Sequence, residues 1–368
     1  MRAVVLRGSE LAVDTVAEPE PGRGQVLVKT LACGICGTDL HMLANARALA
    51  EGPTGGDAPV TIGDAGELVM GHEFCAEVVD WGPGSEKRLA AATRVCSMPI
   101  AHTAKGVEAI GFSQRFPGGF GEFMVLSEDL LLEVPNGLSP ERAALTEPMA
   151  VGAHAVGKAN LRKGDIPVVV GCGPVGLAVI ASLALRGVSP IIASDFSPRR
   201  RELALAMGAD LAVDPAAQSP YAKWEEMAQP EPAHLDNPMV AIMSGVGPRP
   251  AVLFECVGVP GVLQQLIDGA PRGSRVVVVG VCLEPDRIHP FAAINKELSI
   301  QFSLAYGPGE FSATLGHIAE GRIDVDPMIT GQVGLEEVAA SFEALASPEL
   351  HAKILVEPGR AGSTLPRG

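Results

Sequence analysis

The chain is predicted to be an α/β protein built from a β-rich part and a doubly wound parallel sheet, and three observations carry that prediction. Its 368 residues exceed what one hydrophobic core comfortably serves, so two domains are expected. The first part alternates short apolar runs with Gly and Pro, the pattern of short strands and turns. From Pro167 onward apolar runs and helical stretches alternate in βαβ order, which calls for a parallel sheet with helices on its faces.

The elements follow in order. Met1–Gly8 reads as a short strand and turn, without the apolar core or small-residue cleavage site of a secretory signal. Val26–Thr30, Cys75–Val79 and Gly121–Leu126 read as strands. Between them, Leu43–Leu68 carries five glycines and two prolines, and its length suits either a pocket wall or lid, or disorder. A helix is expected from Ser139, with Pro140 in its first turn and Glu141 favourable to its dipole, leading into Glu147. Val168–Val170 is the first strand of the parallel sheet, followed by a glycine loop, an Ala/Leu-rich helix from Val175 to Leu185 and a second strand, Ile191–Ser194. Ala209–Val213, Ala251–Glu255 and Arg275–Gly280 are further parallel strands, with a short helix and surface loops expected over residues 215–250. Leu298–Ser303 closes the sheet. A helix over residues 309–320, a last strand Ala352–Val356 and a loose tail from Arg360 complete the chain.

Composition narrows the function. Hydrophobic residues make up 47% with Gly 43 and Pro 30, a turn-rich globular profile. No apolar run approaches the roughly 20 residues a membrane span needs. A net charge of -15 argues against binding to phosphate backbones, so nucleic acid is not expected as a partner. Seven scattered cysteines in a chain this long point to a reducing, cytoplasmic setting rather than a disulfide scaffold.

Gly171-Cys172-Gly173-Pro174-Val175-Gly176 satisfies G-x-G-x-x-G between a predicted strand and a predicted helix. The first glycine permits the tight turn, the second lets backbone approach a pyrophosphate, and the third allows close helix–strand packing. Asp195 ends the second strand about 20 residues on, where a carboxylate accepts hydrogen bonds from ribose hydroxyls, favouring NAD over NADP. Arg199 and Arg200 nonetheless offer a 2′-phosphate two cations, while Ser197-Pro198-Arg199 also reads as a helix start.

A second constellation lies upstream. Cys36, with Thr38 and His41 close behind, Gly71-His72-Glu73 and Glu147-Pro148 can together assemble one tetrahedral zinc site with a position left for substrate. Singly, each residue is of a type that ordinarily serves packing or solvation. Together with the dinucleotide signature, they point to a catalytic metal.

With these stretches, and with Cys33–His41, Phe254-Glu255-Cys256-Val257-Gly258 and Lys296-Glu297-Leu298, the chain resembles the zinc-dependent medium-chain dehydrogenases, the alcohol and sorbitol-type family. The resemblance covers nearly the whole chain. It implies a GroES-like catalytic domain formed by residues 1–150 and 291–368, and a Rossmann NAD-binding domain over residues 151–290. It makes Cys36 and His72 zinc ligands, with Glu73 beside them and Glu147 at the variable last position, leaving open which carboxylate touches the metal. It implies that Thr38 accepts the alcohol proton and His41 passes it to solvent. Val257, Gly258, Gly280 and Val281 follow strand ends and should line the cofactor. Ser303 and Leu304 are expected at the carboxamide, and Lys353 matches a basic position that reaches the pyrophosphate. Cys33 is read as packing, and the lobe that often carries a second zinc offers only Cys96, so a single zinc per chain is expected. The implied reaction is hydride transfer between a secondary alcohol or polyol and NAD, in a homodimer or homotetramer. The competing readings are a zinc-free quinone or enoyl reductase of the same fold and a non-catalytic NAD-binding sensor.

Overall fold

The architecture is that of a computed structural model, which describes residues 1–50, 67–104, 106–229, 248–347 and 349–365, with residues 45–50 described in backbone only. The chain divides into two compact units, residues 1–148 with 308–368, and residues 149–307. No described helix is long and apolar enough to cross a membrane. Most of the long connection between Leu43 and Leu68, much of residues 215–250 and the end of the tail lie outside the described residues.

The first unit opens with strands β1 (Arg2–Arg7) and β2 (Glu10–Thr15), an antiparallel hairpin. Strand β3 (Gln25–Gly34) then leads into helix α1 (Gly37–Ala50), which no apolar periodicity announces. Asp39 explains its start: the Cys36 N–H donates to the Asp39 carboxylate at 2.9 Å, the reciprocal half of a capping box. Strands β4 (Glu73–Trp81), β5 (Arg94–Cys96), β6 (Ile100–Thr103), β7 (Gly106–Ala109), β8 (Phe123–Ser127) and β9 (Leu132–Glu133) follow. The helix expected from Ser139 to Glu147 is two helices. Ser139 caps α2 (Pro140–Ala144), the chain breaks at Leu145, and α3 (Thr146–Lys158) carries Glu147 in its own first turn.

The second unit contains β10 (Ile166–Val170), α4 (Pro174–Leu185), β11 (Ile192–Ser194), α5 (Pro198–Ala206), β12 (Leu211–Val213), α6 (Pro220–Ala228), β13 (Ala251–Glu255), α7 (Val262–Gly269), β14 (Arg275–Val278), α8 (Pro290–Asn295) and β15 (Ser299–Phe302). Its six strands are all parallel, in the order β12-β11-β10-β13-β14-β15. Central residues such as Val168, Leu253 and Phe254 are fully buried, as strands covered on both faces must be. Pro at the first turn and a Ser cap start α5 and α6, where Ser197 accepts from the Arg200 N–H and Ser219 from Tyr221 and Ala222.

The chain returns to the first unit with α9 (Pro308–Ala319), β16 (Ile329–Val333), α10 (Val338–Leu345) and β17 (Lys353–Val356). Residues 291–307, expected with the catalytic part, belong to the second unit instead, because β15 adds to the outer edge of its sheet beside β14. The returning strands complete a seven-stranded sheet, β16-β17-β3-β4-β5-β9, with β8 also on β3. One rung of this sheet joins three strands. Gly34 of β3 lies opposite Glu73 of β4 on one side and Leu355 of β17 on the other.

Glu128 ties down the loop after β4. Its buried carboxylate accepts the backbone N–H of Glu86 at 2.7 Å and of Arg88 at 3.1 Å. Burial would raise its pKa, but these donors together with that of Lys87 outweigh it and hold the group below the usual glutamate range. Its stabilisation is therefore complete above the ordinary value of about 4.3 and is lost as pH falls through the lower folded value. Glu128→Gln is expected to cost about 1–3 kcal/mol at pH 7. The gap to the parent protein in thermal unfolding should narrow as pH falls below about 4. A gap that stays constant down to acid pH would show that the charge is not what holds this loop.

Candidate functional site

Among the described residues, one group of three potential metal ligands stands out. One ligand atom each from Cys36, His72 and Glu73 lie within 4.8 Å of one another. The sheet explains the convergence: β3 delivers Cys36 just beyond Gly34, and β4 begins at Glu73 directly across the ladder, with His72 immediately before it. Glu73 and His72 are buried. The Cys36 Sγ lies 3.6 Å from the Thr38 Oγ1 on the first turn of α1, so the hydroxyl sits beside the sulfur.

Asp39 is a supporting residue to which the sequence pattern gives no role. Asp39 is fully buried, and its Oδ1 lies 3.4 Å from the His72 Nδ1 without closing a hydrogen bond. A carboxylate behind a ligand imidazole fixes its orientation. Burial would lower the His72 pKa, but the charges of Asp39 and Cys36 raise it well above its ordinary value. The capping-box spacing of Cys36 and Asp39 is the signal that could have found it. Phe112, from a region the sequence suggests as a pocket wall, packs on His72 with ring centroids 4.9 Å apart at 42°.

Lys353 requires a correction. It was expected to reach a pyrophosphate, but it is fully buried, and its Nζ donates to both Glu73 carboxylate oxygens at 2.7 Å and to the Ile35 carbonyl at 3.0 Å. All three ammonium protons are used. Burial would lower its pKa, but the charges of Glu73, Cys36 and Glu147 raise it. Gly34 is what lets the pair form, since a Cβ there would sit 2.0 Å from the Glu73 Oε2. Glu147, in the first turn of α3, does not join the three-residue group, although its charge is felt at Lys353. His41 lines a cavity of about 590 Å³ with Leu40, Leu43, Phe342 and Glu343. Cys33 is fully buried, and burial, with the charges of Asp39 and Glu73, pushes its thiol well up, as suits a packing residue.

The second unit gathers the other predicted residues at the carboxyl ends of its strands. Gly171 to Gly176 follow β10 and start α4, whose N-cap is Gly173 with Pro174 in the first turn. A Cβ at Gly176 would meet the Gly171 carbonyl at 1.9 Å, the close approach the third glycine exists to permit. Asp195 follows β11. Its carboxylate accepts the N–H of Cys172 at 2.7 Å and of Ser197 at 2.9 Å, pinning it to the glycine loop while leaving lone pairs on both oxygens. Arg199 pairs with Glu202, and Arg201 binds the Asp195 and Phe196 carbonyls. Arg200 differs: its Nη1 lies 3.9 Å from where a Gly173 Cβ would be, and its Nε is buried without a partner. Val257 and Gly258 follow β13, and Gly280 and Val281 follow β14. A Cβ at Gly258 would strike Val281 backbone at 2.7 Å, so these two loops interlock. Ser303 and Leu304 follow β15, with the Ser303 Oγ buried and unpartnered and Leu304 exposed.

Two parts of the chain match known protein families. Residues 22–136 match the alcohol dehydrogenase GroES-like domain, and residues 174–320 match the zinc-binding dehydrogenase domain. The chain is 33% identical to the (R,R)-butanediol dehydrogenase of Bacillus subtilis over 358 residues, covering 95% of this chain and 97% of the relative. It is 28% identical to the sorbitol dehydrogenase of the same species over 381 residues, 98% of each chain. A crystal structure from Sinorhizobium meliloti 1021, bound to NADP, matches with a TM-score of 0.76 at 28% identity, covering 97% of this chain and 99% of that one.

The Gly34 contact gives a direct test. Gly34→Ala must displace the Glu73 carboxylate, so it is expected to lose about 1–3 kcal/mol of stability. The loss should appear as a lower midpoint in thermal unfolding. Gly37→Ala, where a Cβ meets nothing within 4 Å, should keep the parent's midpoint. Equal midpoints in the two variants would show that the Glu73 carboxylate does not rest against Gly34.

Proposed function

The chain belongs to the zinc-dependent medium-chain dehydrogenases and is an oxidoreductase, and from this we propose that it oxidises secondary alcohols, small vicinal diols in particular, with NAD and one zinc per chain. The observation that carries the proposal is the convergence of sulfur, imidazole and carboxylate ligand atoms within 4.8 Å in a buried place. That donor set suits zinc with a position left open. The fit is supported by His72, whose Nδ1 faces the buried Asp39, leaving Nε2 for a metal. Cys36 and His72 are the proposed ligands, with Glu147 or Glu73 completing the set.

When bound, zinc supplies the Lewis acidity that makes an alcohol hydroxyl acidic near neutral pH, and NAD supplies the hydride acceptor. The chain's residues do the rest. Thr38 Oγ1, beside the Cys36 sulfur, accepts the hydroxyl proton as it gives up its own. His41 lies three residues on along α1, a neighbour on the same helical face, and passes that proton towards solvent. Phe112, packed on His72, supplies apolar surface next to the metal ligands. In the second unit, Gly171, Gly173 and Gly176 with the start of α4 would cradle the pyrophosphate, and the Arg200 guanidinium, 3.9 Å from where a Gly173 Cβ would be, supports that role. Val257, Gly258, Gly280, Val281, Ser303 and Leu304 would flank the dinucleotide at the strand ends.

The Asp195 carboxylate favours NAD, because a 2′-phosphate would meet a like charge that the Cys172 and Ser197 N–H groups hold in place. Arg200 would then lie along the adenosine ribose. A reducing, cytoplasmic setting is supported by seven cysteines that are all unpaired. A homodimer or homotetramer is supported by β15, which has no partner strand on its outer side among the described residues and exposes Phe302 at 69%.

Purified protein should contain about one zinc per chain and reduce NAD with 2,3-butanediol, with weaker activity on longer polyols. Its kcat/KM should be about tenfold or more higher with NAD than with NADP. Cys36→Ser should lose both the zinc and the activity. Bound NAD with neither zinc nor turnover would instead establish a zinc-free reductase or a sensor. Light scattering should give the mass of a dimer or tetramer, and Phe302→Glu should lower it. An unchanged mass would place the assembly surface elsewhere.

A further inference from the structure

The Glu73–Lys353 pair has a feature that the ligand assignment alone does not explain. Glu73 is near enough to the Cys36 and His72 ligand atoms to be a metal ligand itself, yet both its oxygens are already held at 2.7 Å by one ammonium group. That ammonium comes from β17, near the far end of the chain, and its third proton goes to the Ile35 carbonyl, immediately before Cys36. Lysine rarely sits fully buried, and a buried charge persists only when paired.

The charges of the site account for the arrangement. A dication here would lie among Cys36, Asp39 and Glu73, with the Glu147 charge also reaching Lys353, more negative groups than it can neutralise. Lys353 adds positive charge and places it on Glu73. A carboxylate already paired with a buried cation gains less by moving to a metal than one left unpaired. We infer that Lys353 is a positioning residue of the metal site, a buried counter-ion that keeps Glu73 off the metal and so leaves one coordination position open to the alcohol. The inference rests on the metal reading above and concerns only how Glu73 is restrained. Gly34 is part of the same device, since the carboxylate rests where any larger residue would put its Cβ.

Cobalt substitution tests it, because the visible spectrum of Co(II) reports ligand number and type independently of turnover. Substrate-free Co(II) protein carrying Glu73→Gln should give the parent spectrum, since Glu73 is not a ligand in the parent. Lys353→Met should shift the spectrum towards higher coordination, bind Co(II) at least as tightly as the parent, and lower kcat/KM for the alcohol about 10–100-fold, chiefly through a higher KM. Lys353→Arg should restore the parent spectrum. The double variant Lys353→Met with Glu73→Gln, which buries neither charge, should also return to it, and remains informative if Lys353→Met alone fails to fold. A changed spectrum in Glu73→Gln, or a Lys353→Met spectrum that superimposes on the parent's, would overturn the inference. Parent protein that takes up neither zinc nor cobalt would overturn the metal reading, and this inference with it.

Discussion

One buried ion pair constrains the first unit more than any other contact. Glu73 and Lys353 are both sealed from solvent, so each must satisfy the other or carry a large desolvation cost. Meeting that requirement places the last strand of the chain beside β3, requires glycine at position 34, and fixes the backbone that presents Cys36. The cluster of candidate ligands is thus a consequence of sheet register. Residues separated by dozens of positions meet because Gly34, Glu73 and Leu355 share one rung of the ladder.

The second unit solves a different problem with backbone alone. A dinucleotide needs close approach to main-chain N–H groups at strand ends, and side chains there would obstruct it. The Gly171–Gly176 turn and the interlocked Gly258 and Gly280 loops remove those side chains where the central strands β10, β13 and β14 end. Asp195 then does two things with one carboxylate. It braces the glycine loop through the Cys172 N–H and the start of α5 through the Ser197 N–H.

Most of the parallel sheet is legible in the sequence, because local patterns specify it. Buried strands such as Val168–Val170 and Ala251–Glu255 read as continuous apolar runs, and Ser-Pro starts mark α5 and α6. Structure and expectation part where a local signal is weak or is overridden. Helix α1 follows a strand without apolar periodicity, and its one signal, the Asp39 cap, stands inside a motif that also reads as metal-binding. The break at Leu145 splits a stretch that looks helical throughout. The placement of residues 291–307 depends on β15 pairing with β14, a contact no single segment announces.

The sequence by itself determined the six strands of the parallel sheet in chain order, the dinucleotide loop and the identity of the candidate ligands, because each is a short-range pattern of residue types. Only the tertiary structure decided which of those residues meet. Lys353 illustrates the difference. Read as a letter in a strand, it is a solvated base available to a phosphate; in the folded chain, the order β17-β3-β4 buries it against Glu73, because strand order is set by long-range pairing that spacing along the chain does not encode.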